Sequence, residues 1–315
     1  MGPRAPLRSR WRRPAALVAL MWANLVAAQA PGAALEIHDR VTLAGQRVAG
    51  LQLNELSGLA WDADEQRLYA VSDKGRVFHF QFTVADRRIV TLQPLHAAAL
   101  RDHRSGEPVP TRFNAEGLAL LDADNGIRGD TQLLVALENG PRVMRFTPEG
   151  QAIAEIALPP ALRDPQRYQT DNSRLESIAV HPRHGFVMAP QRPLKGEPPE
   201  RHTIYATDGS RWSFTAHGPR SEIKAIDTLG NGRLLILERS GTRGERSTVL
   251  RELDPSACAA DGACQAPELG GAADLGNDKY EGLARLSDKA YLIVSDNAAN
   301  PRLHTMFVLL GRVAP

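Results

Sequence analysis

The sequence has 315 residues, of which 43% are hydrophobic, 5% aromatic and 23% charged. Its 38 basic and 36 acidic residues give a formal net charge of +2, but five of the arginines lie in the first 28 residues, where no acidic residue occurs. Without that segment the chain has 33 basic and 36 acidic residues, a net charge of −3. The basic pI of the whole sequence therefore gives no indication of nucleic-acid binding.

The first 28 residues have the pattern of a secretory signal. Five arginines between Arg4 and Arg13 precede an apolar run, Ala15 to Ala28, that is too short and too rich in small residues for a spanning helix. We expect cleavage near Ala28, a periplasmic or secreted protein, and no membrane span in the mature chain. No linker or block of charge divides residues 29–315, so we predict one domain.

Five segments repeat one hairpin plan, in which an alternating strand leads to a polar turn and an apolar strand returns. The clearest copy is YEGLARLSDKAYLIVSDN, residues 280–297, and the copies begin at residues 57, 116, 176, 224 and 281. Spacings of 59, 60, 48 and 57 residues indicate repeats of a whole supersecondary unit. With two further strands in each repeat, the sequence predicts an all-β fold, a β-propeller of five four-stranded blades. Six blades is the alternative.

The last repeat has one strand too few. Its hairpin is followed only by LHTMFVLL, Leu303 to Leu310, whereas a strand without a hairpin of its own, Ala34 to Leu43, precedes the first repeat. We predict that this N-terminal strand completes the last blade, because that pairing would close the ring and remove its edges.

The sequence contains two cysteines, Cys258 and Cys264, in a loop rich in Gly, Ala, Asp and Pro. In an oxidising compartment so close a pair is typical of a local disulfide. A metal site would need more ligands than two cysteines without nearby histidines, so we predict the Cys258–Cys264 bond.

The first and last residues of each hairpin are expected at one face of the propeller, around the mouth of the central channel. The first residues are Ser57, Glu116, Glu176, Lys224 and Glu281, and the last are Asp73, Glu138, Gln191, Glu238 and Asp296. Clustered carboxylates suit a hard cation, and Ca²⁺ is the expected one outside the cell. The predicted metal ligands are Asp73, Glu116, Glu138, Glu176, Glu238, Glu281 and Asp296. Alternatively, these carboxylates cap backbone N–H groups of neighbouring blades and bind no metal.

The loops at the same face are rich in arginine, which binds carboxylate and phosphate groups through bidentate contacts. We predict that Arg112, Arg174, Lys224 and Arg239 bind an anionic substrate. The candidate catalytic groups are Glu116 and Glu281 as carboxylate bases, and His103 as a general acid or base.

Short motifs in the repeats resemble a known family. The SGLAWD and YAVSD segments after Ser57, the EGLA repeats, and the hairpin ends VALE and VSDN are similar to those of the phytase-like (esterase-like activity of phytase) β-propeller family of secreted bacterial proteins. The resemblance covers about Leu51 to Leu310 and implies a propeller that hydrolyses a phosphate or carboxyl ester. It extends residue by residue to Ser57, Asp73, Glu116, Glu138, Glu176, Glu281 and Asp296. Lys224 and Gln191 depart from the acidic pattern.

Three functions fit these observations. The first is a metal-assisted hydrolase of a small anionic ester, in which Ca²⁺ polarises the ester and a carboxylate acts as base. The second is a non-catalytic periplasmic binding propeller, and the third is a lactonase-like propeller enzyme. The sequence contains no GxSxG nucleophile elbow. We expect a monomer with a small-molecule substrate or ligand and no nucleic-acid partner.

Overall fold

The computed structural model describes residues 1–2, 34–102, 105–242, 244–270, 275–296 and 304–313. The chain divides into two compact units, residues 1–31 and 32–315, and the second contains every strand described below. The predicted signal segment lies outside the described residues. Among the described residues, no helix combines the length and apolar character needed to cross a membrane.

The strands form five antiparallel blades arranged as a β-propeller, as the repeat spacing predicts. Blade one consists of β4 (Leu56–Asp62), β5 (Arg67–Ser72), β6 (Arg76–Ala85) and β7 (Arg88–Ala99). Blade two consists of β8 (Ala115–Leu121), β9 (Gln132–Leu137), β10 (Arg142–Phe146) and β11 (Ala152–Ile156). Blade three consists of β12 (Leu175–His181), β13 (Gly185–Pro190), β14 (Arg201–Ala206) and β15 (Arg211–Thr215).

Blade four has three regular strands, β16 (Glu222–Thr228), β17 (Leu234–Ser240) and β18 (Ser247–Leu253). Its outer position is filled by residues 267–269, because Glu252 N–H donates to the Pro267 carbonyl and Leu269 N–H donates to the Leu250 carbonyl. The loop before this segment contains the predicted disulfide, with Cys258 and Cys264 sulfurs 2.05 Å apart. A short hairpin of β2 (Gln46–Val48) and β3 (Leu51–Leu53) precedes blade one. Short 3-10 helices occupy Thr111–Phe113, Pro160–Leu162, Pro165–Arg167 and Pro255–Ala257.

The last blade confirms the predicted closure. It contains β19 (Tyr280–Ser287), β20 (Ala290–Ser295) and β21 (Thr305–Val313), and β1 (Ala34–Leu43) pairs with β21 as its fourth strand. The two ends of the described domain thus share one sheet. The inner strands β4, β8, β12, β16 and β19 contact one another in a closed ring.

The hydrophobic core lies between the blades rather than at the channel. Among the described residues there are five buried clusters, and each combines side chains from two adjacent blades. Phe78 of blade one and Phe307 of blade five share one cluster, for example, and Tyr280 of blade five and Leu250 of blade four share another. Because the apolar side chains pack in these interfaces, the strand ends at the channel can carry polar residues.

Candidate functional site

Each inner strand contains a β-bulge at the residue with which the repeat begins. The register shifts between Leu56 and Gly58 in blade one, and equivalent shifts occur in the other four inner strands. The bulged residues are Ser57, Glu116, Glu176, Lys224 and Glu281. A bulge bends the strand and changes the direction of a side chain, and bulges are frequent next to active sites. Here the five bulges direct one residue from each blade toward the channel mouth.

The residue after each bulge is small because the next blade is very close. A Cβ atom on Gly58 would lie 2.7 Å from the Glu116 carbonyl oxygen, and one on Gly117 would lie 2.9 Å from the Glu176 carbonyl oxygen. Ser177, Ala225 and Gly282 hold the same place in the other blades. This close approach explains the small second residue in the repeat sequences EGL, SGL, ESI and KAI.

A cavity of about 450 Å³ opens at the channel mouth, where the inner strands begin. It brings together most of the residues predicted from the repeats. Its lining includes Ser57, Asp73, Arg112, Asn114, Glu116, Glu138, Gln191, Glu222, Lys224, Arg239, Lys279, Glu281 and Asp296. We call this space the central cavity.

The side of the central cavity formed by blades four and five is rich in cations. The Lys224 ammonium contacts Oε1 of Glu176 and lies 2.7 Å from Oε2 of Glu281. Nη1 of Arg239 donates to Oε1 of Glu281 at 2.8 Å, and Nη2 donates to Oε2 of Glu222 at 2.9 Å. Burial opposes ionisation of Glu222, but the charges of Lys224, Arg192 and Arg239 outweigh it and hold its pKa at about 2.

The side formed by blade two is acidic, and its two buried carboxyl groups share an amide donor. The Asn114 amide Nδ2 donates to Oε1 of Glu116 at 2.5 Å and to Oε2 of Glu138 at 2.6 Å. Burial, with the nearby Glu176 charge, raises the pKa of Glu138 to about 7 and raises the pKa of Glu116 well above its ordinary value. In blade one, burial and Glu55 raise the pKa of Asp73 to about 6. Carboxyl groups on this side therefore hold their protons to higher pH than ordinary carboxyl groups do.

Glu238, a predicted metal ligand, does not line the central cavity. It pairs with Ile223 across the hairpin, so the next residue, Arg239, takes the place that Asp73, Glu138, Gln191 and Asp296 hold in the other blades. The buried Glu238 carboxylate instead accepts hydrogen bonds from the Arg251 guanidinium at 2.8 Å, the His217 backbone N–H at 2.6 Å and the Ser221 hydroxyl. Burial opposes ionisation, but His202 and Arg251 hold its pKa at about 2.

The remaining predicted residues are divided between the cavity and its surroundings. Arg112 lines the central cavity, with its guanidinium carbon 4.9 Å from the Phe113 ring centroid. The Arg174 guanidinium contacts Asp171 outside the cavity, and its backbone N–H donates to Oε1 of Glu138 at 3.2 Å. His103 lies outside the described residues.

Several of the predicted calcium ligands are partners of protein cations. Lys224 contacts Glu176 and Glu281, and Lys279 donates to Asp296 at 2.5 Å. In the part of the chain that the structure describes, no group of three or more Asp, Glu, His or Cys side chains has an arrangement that could hold a metal ion. This donor set does not fit the predicted Ca²⁺ ring, and calcium binding stays a prediction.

Sequence reasoning missed a further set of cavity residues, two positions before each bulge. Asn114, Glu222 and Lys279 hold this position in blades two, four and five, and all three line the cavity. The corresponding residues of blades one and three are Glu55 and Arg174. A signal was present, since every repeat has a polar residue at this position. The sequence alone does not show that these residues line the cavity, because their placement depends on the bulge, and a simple hairpin register has no bulge.

The solved structures that match the chain share little sequence with it. A protein of unknown function from Bacteroides thetaiotaomicron is 11% identical over 88% of this chain and 76% of its own, with a TM-score of 0.42. One from Bacteroides caccae is 13% identical over 81% of this chain and 67% of its own, with a TM-score of 0.34. A luciferin-regenerating enzyme is 11% identical over 88% of this chain and 95% of its own, with a TM-score of 0.39. No curated protein matched the chain.

A family model also matches most of the chain. The phytase-like model, described as esterase-like activity of phytase, matches residues 52–299. The matched range begins in β3 and ends after β20, so it includes all five bulges and the lining of the central cavity. The chain belongs to the phytase-like family.

Proposed function

We propose that the protein is a hydrolase of esters that carry an anionic group, and that the central cavity is its active site. One observation carries the proposal. Two carboxyl groups with raised pKa, Glu116 and Glu138, share the Asn114 amide on the blade-two side of the cavity. Blades four and five place Lys224, Arg239 and Lys279 in the same cavity.

The cations would bind the anionic group in two ways. Lys224 and Arg239 are almost fully buried and already hold carboxylates, so they contribute mainly a fixed positive field. Arg112 is exposed, and the Lys279 side chain is 36% exposed, so these two can contact a substrate directly. Preorganised cations in a cavity that excludes water stabilise developing negative charge more strongly than the same groups in water.

The two carboxyl groups would divide the proton transfers. With a pKa of about 7, Glu138 is partly ionised at neutral pH and is suited to act as a general base. It would take a proton from water while the water oxygen forms a bond to the ester carbon or phosphorus. Glu116, kept protonated, would donate its proton to the departing alkoxide as the ester bond breaks. Two carboxyl groups with different protonation states are a recurring solution for hydrolysis at neutral pH.

The family match supports this proposal, and so does the export that the N-terminal sequence predicts. Members are described by an esterase-like activity, and a hydrolase exported by an N-terminal signal would meet extracellular esters. The disulfide between Cys258 and Cys264 is consistent with an oxidising compartment. No step of the proposal requires calcium.

The test is a panel of chromogenic esters. 4-Nitrophenyl phosphate and 4-nitrophenyl hemisuccinate carry an anionic group, and 4-nitrophenyl butyrate does not. We expect turnover of at least one anionic ester, with kcat/KM higher than for the butyrate, and a decrease of about 10²-fold or more in Glu138→Gln, which removes the proposed general base. The exposed Glu155→Gln, outside the cavity, is the matched control. If no ester is turned over by the wild type, the non-catalytic binding propeller becomes the better account.

A further inference from the structure

A second cavity lies between blades one and two, at the ends of the strands opposite the central cavity. It has a volume of about 740 Å³, within the range of small-molecule sites. Its walls come from β5, β6 and β7 of blade one, and from the start of β9 and the β10–β11 turn of blade two. We call it the lateral cavity.

Three aromatic rings form one wall of the lateral cavity. Tyr69, His79 and His96 are cross-strand partners on β5, β6 and β7, with ring centroids 4.7 and 4.9 Å apart. Nε2 of His79 lies 2.8 Å from the Pro148 carbonyl oxygen. Since a carbonyl can only accept, Nε2 carries the proton and Nδ1 is the acceptor of the ring. Burial lowers the pKa of His79, which keeps the imidazole neutral.

The mouth of the lateral cavity is apolar. Leu95 is 46% exposed and Ile153 is 40% exposed, and both line the cavity. In the described part of the chain, every other exposed large apolar side chain except Met1 also lies in blades one and two: Val84, Val90 and Ile127. A bound ligand would remove Leu95 and Ile153 from water, which favours an apolar ligand body.

The polar lining favours a cation. Glu65 is paired with Arg128 at 3.4 Å, but Asp130 and Glu149 still outnumber Arg67. Aromatic faces attract cations as well.

We propose that the lateral cavity binds a small organic cation with a flat, apolar body, such as an aromatic amine. The ring would lie against the aromatic wall and between Leu95 and Ile153. The ammonium group would face the carboxylates of blade two. The site is separate from the central cavity, so the proposal does not depend on ester hydrolysis.

Binding of 2-phenylethylammonium to the full-length protein, measured by calorimetry and ligand-detected NMR, tests the proposal. We expect saturable binding, and binding of 3-phenylpropionate that is weaker by about tenfold or more because its charge is reversed. Leu95→Arg places a cation at the mouth and should weaken 2-phenylethylammonium binding by about tenfold or more. Val90→Arg, on the same strand but outside the cavity, should bind as the wild type does.

A third variant separates the two cavities. Glu116→Gln alters the central cavity only, and it should retain 2-phenylethylammonium binding. The proposal is overturned if the wild type shows no saturable binding, if Leu95→Arg binds as tightly as Val90→Arg, or if the propionate binds as tightly as the amine. Loss of binding in Glu116→Gln but not in Leu95→Arg would also overturn it, because the amine would then occupy the central cavity.

Discussion

The ammonium nitrogen of Lys224 lies 2.7 Å from Oε2 of Glu281, and this ion pair joins blade four to blade five inside the central cavity. The same ammonium contacts Glu176 of blade three. All three side chains are almost completely buried. One lysine therefore neutralises carboxylates from both neighbouring blades, in the position where the sequence predicted a metal ion.

Loss of this lysine should destabilise the fold. Lys224→Met leaves the buried Glu176 carboxylate without its cation and removes one of the cations beside Glu281. Breaking a buried ion pair in this way costs about 3–5 kcal/mol of unfolding free energy. Urea unfolding monitored by circular dichroism measures the change. Lys289→Met, in an exposed turn, is the control and should have little effect. Adding Glu176→Gln to Lys224→Met should recover part of the loss. A Lys224→Met protein as stable as the control would show that the ion pair does not stabilise the fold.

The close packing of adjacent blades should require glycine at the position after the bulge. Gly117→Ala would place a Cβ atom 2.9 Å from backbone atoms of blade three, and we expect a loss of about 1–3 kcal/mol in unfolding free energy from overpacking. Gly270→Ala has no atom within 4 Å of the new Cβ and serves as the control. Equal melting temperatures for the two variants would contradict the close approach of the blades.

The pH dependence of stability should depend on Glu138. Its folded-state pKa is raised to about 7, so the folded protein holds a proton that the unfolded chain releases above its ordinary value of 4.5. The stabilisation that this proton provides is complete below pH 4.5 and is lost as the pH rises through 7. Glu138→Gln mimics the protonated form. Relative to the wild type, it should therefore gain up to about 3 kcal/mol at pH 8 and almost nothing at pH 4.5.

Chemical denaturation at several pH values measures this difference. Glu155→Gln, which removes an exposed carboxylate from β11, should show no such pH-dependent gain. A Glu138→Gln variant that is less stable than the wild type at pH 8 would mean that the carboxylate of Glu138 is compensated in the folded state, contrary to its raised pKa.

These relationships also show where sequence reasoning reached its limit. The repeat spacing, the missing strand of the last blade and the cysteine pair predicted five blades, the pairing of β1 with β21, and the disulfide, and the structure confirms all three. Those features depend on strand periodicity and chain length, which the sequence shows directly.

The details of the site depend on single-residue register, which periodicity does not determine. A symmetrical hairpin placed Glu238 at the channel mouth, but the bulge at Lys224 and the pairing of Ile223 with Glu238 put Arg239 there. The roles of Asn114, Glu222 and Lys279 also follow from the bulges. Lys224 is the central cation because its side chain contacts residues of two other blades, and these residues are far from it in the sequence.

Calcium distinguishes the metal hypothesis from the ion-pair account. A ligand present at 100 times its dissociation constant stabilises a protein by about 2.7 kcal/mol, which is visible in a melting curve. Because Lys224, Arg239 and Lys279 already neutralise cavity carboxylates, we expect the melting temperature to be unchanged by millimolar Ca²⁺ or by a chelator. A rise with Ca²⁺ that disappears in Glu116→Gln would support the metal site predicted from the sequence.

The pH profile of kcat/KM for the best anionic ester, measured for the wild type and Glu138→Gln, tests the central claim most directly. If Glu138 is the general base, the wild-type value rises with pH through about 7, where Glu138 loses its proton. The Glu138→Gln variant should lack this rise and have a kcat/KM lower by about 10²–10⁴-fold, with an unchanged fold by circular dichroism. A variant that keeps both the wild-type rate and the wild-type profile would contradict the assignment of catalysis to the central cavity.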